Sequence, residues 1–237
     1  MGDKDELLVD GVLIGPRSDL VEMFRRQLSG EWVFASKTTL GPEDGVGRVI
    51  GATRGTPLEP RVRGAVVALL TDQDPKVRAG AVASIDTYAR GFDGKSLMDI
   101  LDSHIALFRG IPAVATGFPD LEWELLRAIA GTRSDAEAVR SRVRTAAVDP
   151  VNGVCVLGDL SRTDPDWVVT HAIQITASQA DRAIPVLWNI QDPAMRKSFV
   201  EALRSEPQDL RRGIATKLDR PIRDPAERER LRQILIG

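Results

Sequence analysis

Chemistry in this chain would have to come from two histidines, one cysteine and clusters of arginine set among a few tryptophans. His171 follows Trp167 by four residues, so on a helix the imidazole and the indole share one face. Such a corner could stack on a planar ligand, but packing of the two rings on each other is the plainer reading. His104 falls between Leu101 and Ile105 on a helical stripe, where a satisfied, partly buried histidine outranks a general base. Cys155 lies in the apolar run Val154-Cys155-Val156-Leu157 and reads as a small core residue rather than a nucleophile. One cysteine excludes an intrachain disulfide and a cysteine-clustered metal site, and the two histidines are not spaced as zinc ligands. No catalytic residue, metal or cofactor is assigned.

The stretch Gly45-Val-Gly47-Arg-Val-Ile-Gly51 superficially suggests a phosphate loop. It lacks the Gly-Lys-Ser/Thr ending, and its spacing is not the dinucleotide fingerprint. A flexible connector, extending over Gly41–Gly55, is the better reading.

Arginines supply the most distinctive surface chemistry. Arg140, Arg142 and Arg144 share one helix, with Arg140 and Arg144 a turn apart on one side. Arg196-Lys197 and Arg211-Arg212 occupy later helices, and Arg220, Arg223, Arg228, Arg230 and Arg232 enrich the C-terminal stretch. Their guanidinium forks would suit carboxylates of an acidic protein partner, or phosphates. Against a binding stripe stand Glu137, Glu201, Asp209, Glu227 and Glu229, which at helical spacing would neutralise much of the charge. Trp123, Trp167 and Trp188 read first as core, although tryptophan and arginine are also the commonest binding hot spots. The candidate partner-binding residues are Arg140, Arg144, Trp167, His171, Arg196, Arg211 and Arg212.

The composition sets the bounds for these candidates. With 237 residues, 43% of them hydrophobic and 28% charged, the chain can bury a substantial core. A formal charge of -2 gives no global electrostatic pull toward nucleic acid or an acidic membrane. The start of the chain is acidic (Asp3, Asp5, Glu6) and lacks signal-peptide features, and no apolar run reaches membrane-spanning length. A cytoplasmic location is the default expectation.

What must position the candidate side chains is a series of short helices. An acidic residue followed by proline recurs as Glu59-Pro60, Asp74-Pro75, Asp149-Pro150, Asp164-Pro165, Asp192-Pro193, Glu206-Pro207 and Asp224-Pro225. An acidic cap followed by proline at the first helical position opens a helix without losing a hydrogen bond. Apolar stripes follow at helical spacing, among them Val62, Val66, Leu69 and Leu70, then Val77, Ala81, Ile85 and Tyr88. Later stripes are Leu97, Leu101, Ile105 and Phe108; Leu121, Leu125, Leu126 and Ile129; Val168, Ala172 and Ile175; and Leu210, Ile214 and Leu218. Helices this short are marginal alone and must lie against their neighbours.

Residues 1–58 differ. Leu7-Leu8-Val9 and Val12-Leu13-Ile14 flank Asp10-Gly11, a favoured hairpin turn, with one bent extended segment as the competing reading. Pro16 to Leu28 reads as a helix capped by Ser18 or Asp19, and Trp32-Val33-Phe34-Ala35 as a further short strand.

Asp74-Pro-Lys-Val-Arg78, followed by Ala79, Ala81 and Ala83, resembles the HEAT-repeat consensus, as does Glu59-Pro-Arg-Val-Arg63. Asp164-Pro-Asp-Trp-Val168 and Asp192-Pro-Ala-Met-Arg196 echo it. The resemblance covers about residues 59–237, and the segment from Gly91 to Phe118, with a longer helix and a Gly/Pro-rich loop over Gly110–Pro119, departs from it. It implies an all-α fold: an armadillo-type α-α superhelix over 59–237 with a small mixed N-terminal segment over 1–58. In such a stack Arg63 and Arg78 would bond acidic groups of adjacent repeats. The family implies a non-enzymatic scaffold that binds a protein partner on its concave face. The alternative the family offers is a DNA glycosylase for alkylated bases, which needs a basic groove with tryptophan and an aspartate. A chaperone-like or lyase role is a third possibility, since HEAT-like repeats also occur in proteins that attach bilin pigments, with nothing beyond the repeats to support it.

Overall fold

The computed structural model describes residues 6–34, 41–115, 117–132 and 134–237. Asp3, Asp5, Ala35 and Thr116 of the Gly110–Pro119 loop lie outside them. The protein is predominantly helical, at 67% helix, so the all-α class holds. Its contacts divide into two units, Met1–Thr132 and Arg133–Gly237.

The first unit opens with a hairpin, β1 (Leu7–Val9) and β2 (Val12–Ile14), antiparallel with Leu7 opposite Ile14 and Val9 opposite Val12. Asp10 and Gly11 have φ of 46° and 82°, the left-handed pair that a two-residue turn needs to match strand twist. Helix α1 (Leu20–Ser29) is capped by Asp19, whose carboxylate accepts from Glu22 N, and buries Leu20, Phe24 and Leu28. Helices α2 (Pro42–Thr53), α3 (Glu59–Ala68), α4 (Pro75–Thr87), α5 (Gly94–Ser103) and α6 (Leu121–Gly131) complete the unit. Helix α2 packs on α4 and α4 on α6, while α1 lies against α2, α3 and α4.

Three sequence expectations fail here. The glycine-rich stretch is no connector: α2 runs through it with Val46, Val49 and Ile50 buried. Its glycines permit close approach, since a Cβ on Gly45 would stand 2.7 Å from Gln27 Nε2 and one on Gly47 would stand 3.0 Å from the Tyr88 ring. Residues 32–34 form no strand. The chain is held instead by buried Gln27, whose Oε1 accepts from Val33 N and Phe34 N at 2.9 and 3.1 Å. The Leu97–Phe108 stripe is not one long helix, because α5 stops at Ser103 and a 3-10 turn carries Ile105–Leu107.

The second unit contains α7 (Glu137–Ala147), α8 (Val154–Thr163), α9 (Pro165–Thr170), α10 (Ala172–Thr176), α11 (Ala180–Asn189), α12 (Pro193–Ala202), α13 (Gln208–Ala215) and α14 (Pro225–Ile236). Helix α8 packs on α11 and α11 on α13; separately α9 packs on α12 and α12 on α14. The stripes predicted from spacing supply the buried seams, including Val168, Ala172 and Ile175, and Leu210, Ile214 and Leu218.

Acid-proline pairs open helices in more than one way. Asp74, Asp192 and Asp224 cap as expected, accepting from Lys76 N, Ala194 N and Ala226 N at 2.8–3.0 Å. Asp149 instead closes a turn by accepting from Val151 N and Asn152 N. Glu59 lies inside its helix, where it pairs with Arg63 and accepts from Gly55 N. Arg63 therefore bonds an acid of its own helix, not of a neighbouring repeat. Arg78 meets no acid among the described residues but donates to three carbonyls, of Asp72, Gln73 and Leu107.

Candidate partner-binding surface

Helix α7 turns Val139, Val143 and Ala147 into the core and leaves Arg140 and Arg144 on its other side. Arg144 donates through Nε and a terminal nitrogen to Oδ2 of Asp164 at 2.8 and 2.7 Å, and through the other nitrogen to Glu137 at 3.2 Å. Arg140 pairs with the same Glu137 at 3.1 Å. The Arg144 guanidinium also lies 5.7 Å from the centre of the Trp167 ring, which stacks on His171. Four of the seven candidates, Arg140, Arg144, Trp167 and His171, thus form one corner.

The other three lie in separate settings. Arg196 forks onto both oxygens of Glu227 at 2.7 and 2.9 Å and donates to the Ile190 carbonyl. Arg211 donates to the carbonyls of Glu206 and Leu235, tying α13 to α14. Arg212 is exposed and has no acidic partner among the described residues. Most of the arginine stripe is therefore framework: paired forks hold helices together and are unavailable to a ligand without first breaking an ion pair.

Other sequence expectations shift as well. His104 is exposed at the end of α5 rather than half-buried within a helix, and Cys155 is half-buried rather than in the core. None of Trp123, Trp167 and Trp188 is fully buried, and Trp188 is 57% exposed.

Among the buried charges that escaped the sequence reading are Arg182 and Glu124. Arg182, 2% exposed, donates to the carbonyls of Ile175, Asp149 and Ala147 at 2.6–2.8 Å, and burial lowers its pKa. It terminates two helices at once, a role no local pattern announces. Glu124 is fully buried beneath the loop at Val114, whose amide donates to Oε2 at 3.3 Å, while Oε1 has no hydrogen-bond partner among the described residues. Desolvation, reinforced by Asp86, pushes its pKa up to about 7. Its spacing from Leu121 and Ala128, three before and four after, is the signal that would have placed it on the core face.

Among the described residues no group of three His, Cys, Asp or Glu side chains could hold a metal, and no helix is long and apolar enough to cross a membrane. Comparison with family models, with curated proteins and with solved structures returns no match. The corner sets a fixed guanidinium beside an aromatic pair, with the charges of Arg140 and Arg144 already compensated.

Proposed function

We propose that the protein is a non-enzymatic interaction scaffold, built of HEAT-like stacked helix pairs, that binds an acidic polypeptide partner. The observation that carries this reading is the pair of rows in the second unit, α8–α11–α13 and α9–α12–α14. Serial contact of this kind is the packing logic of a stack, in which each row keeps an outer side for a partner. A second support is the equivalence of Arg78 and Arg196. Each follows its capping aspartate by four residues and folds back onto a carbonyl six residues earlier, of Asp72 and Ile190.

The DNA-glycosylase alternative needs an available aspartate beside a tryptophan. Asp120, Asp164 and Asp192 stand three or four residues from Trp123, Trp167 and Trp188. Asp120 accepts from Gly110 N and Trp123 N, Asp164 is held by Arg144, and Asp192 caps α12. No observation favours that reading.

The test is affinity capture by the tagged full chain from its native lysate, with an electrophoretic shift on duplex DNA alongside. A specifically enriched polypeptide and no DNA shift at low salt are expected. Salt-sensitive DNA binding without a polypeptide partner overturns the proposal.

A further inference from the structure

Between α12, the 3-10 turn after it (Leu203–Ser205) and α14 lies a groove of about 480 Å³, within the roughly 300–1,000 Å³ of ligand clefts. Pro193, Leu231 and Ile234 give it an apolar lining, and Lys197, Arg204 and Arg230 make it cationic. Arg204 and Arg230 are exposed and have no acidic partner among the described residues. This separates them from Arg144 and Arg196, whose charges are compensated.

The acidic side chains nearby already have partners. Glu227 lines the groove, but both its oxygens are taken by Arg196. Glu229 pairs with Arg232 at 3.2 Å, and Glu201 holds Lys197 only loosely, at 3.7 Å. The groove therefore presents net positive charge around an apolar strip.

We propose that this groove is the docking site for an acidic-apolar peptide segment of a partner protein. The proposal rests on the scaffold reading and names the surface it uses. One apolar side chain of the peptide lies on Leu231 and Ile234, and flanking carboxylates meet the forks of Arg204 and Arg230. Length favours a peptide over a simple anion: Pro193 and Arg204 both line the groove eleven residues apart, roughly 16 Å of helical rise. An extended peptide of about five residues spans that distance, whereas a phosphate contacts one end of it.

The probe is the blocked pentapeptide Glu-Glu-Leu-Glu-Glu, titrated into the full chain with isotope-labelled isoleucine methyls and arginine side chains. Saturable shifts at Ile234, Arg204 and Arg230 are expected, fading as salt rises. The double variant Arg204→Glu/Arg230→Glu should weaken binding by at least about tenfold. Both arginines are exposed, so the fold should survive; Lys197→Glu is the second variant, and a smaller loss is expected there. The proposal is overturned by the absence of shifts at about 1 mM peptide, equal to binding weaker than about 4 kcal/mol. Undiminished binding by the double variant overturns it too, as does inorganic phosphate saturating the same signals at the same concentration. Capture of a lysate partner equally by wild type and double variant sinks the groove but leaves the scaffold standing. Peptide binding without any captured partner does the reverse.

Discussion

The imidazole of His171 lies flat on the indole of Trp167, ring centroids 4.3 Å apart and planes 18° from parallel. Its Nδ1 stands 2.8 Å from the Trp167 carbonyl, which can only accept, so in the neutral ring the proton sits on Nδ1. The backbone amide of His171 donates to that same carbonyl at 3.0 Å, ending α9 and turning the chain into α10. A spacing that could have built a ligand-stacking corner instead closes a helix end.

His171→Ala therefore removes both the stack and the side-chain hydrogen bond, at a cost of about 1–2 kcal/mol. His171→Phe keeps the stack and recovers roughly half of that loss. Urea unfolding of the three proteins checks the order, and equal midpoints would show that the corner is not structural.

Asp164 stands at the N-cap position of α9 without capping it, because Arg144 holds its carboxylate. Asp164→Ala and Arg144→Ala should each destabilise, and a double-mutant cycle should return a coupling of about 1 kcal/mol for this partly exposed pair. Asp192→Ala should cost about 1 kcal/mol through its lost cap and show no coupling to Arg144. Coupling near zero between Arg144 and Asp164 would be the contrary result.

The helical class and the buried seams were legible because burial imposes a 3.6-residue period that survives in any short helix, as in Val62, Val66 and Leu70. The hairpin was legible because Asp10-Gly11 is one of few dipeptides that accept two left-handed residues. Helix α2 was not, since composition cannot tell a glycine kept for flexibility from one kept so that Tyr88 or Gln27 can come close. The arginine cluster was legible as charge and in its local pairing, since Glu137, Glu201 and Glu229 hold Arg140, Lys197 and Arg232. The distant partners were not: what fixes Arg144 is Asp164, twenty residues away, and what fixes Arg196 is Glu227, thirty-one away. The groove was out of reach for the same reason, because Arg204 and Arg230 meet only once α12 and α14 have packed.

Arg182 makes a prediction about a residue with no local signature. Replacing it by methionine fills similar volume but leaves the carbonyls of Ala147, Asp149 and Ile175 without their donor. A loss of about 3–5 kcal/mol is expected, with Arg182→Lys recovering only part because an ammonium lacks the planar fork. Thermal unfolding checks the ranking, and a methionine variant as stable as wild type would contradict it.

Glu124 predicts a pH dependence with a definite sign. Its carboxyl is desolvated, faces Asp86 and Arg127, and meets amides of the loop at Val114 and Ala115, so its pKa rises from 4.5 to about 7. Between these values the folded protein holds a proton that the unfolded chain has released. Stability contributed by the protonated carboxyl is therefore full below about pH 4.5, declines as pH rises, and is gone above about 7, a span of roughly 3 kcal/mol. Glu124→Gln keeps an acceptor for Val114 N and carries no charge, so it should unfold at a higher urea concentration than wild type at pH 8. The gap should shrink steadily toward pH 5 and close below about pH 4.5. The difference between the two proteins isolates this carboxyl from every other titrating group, and a gap that stays constant between pH 5 and 8 would mean that Glu124 does not change its ionisation in that range.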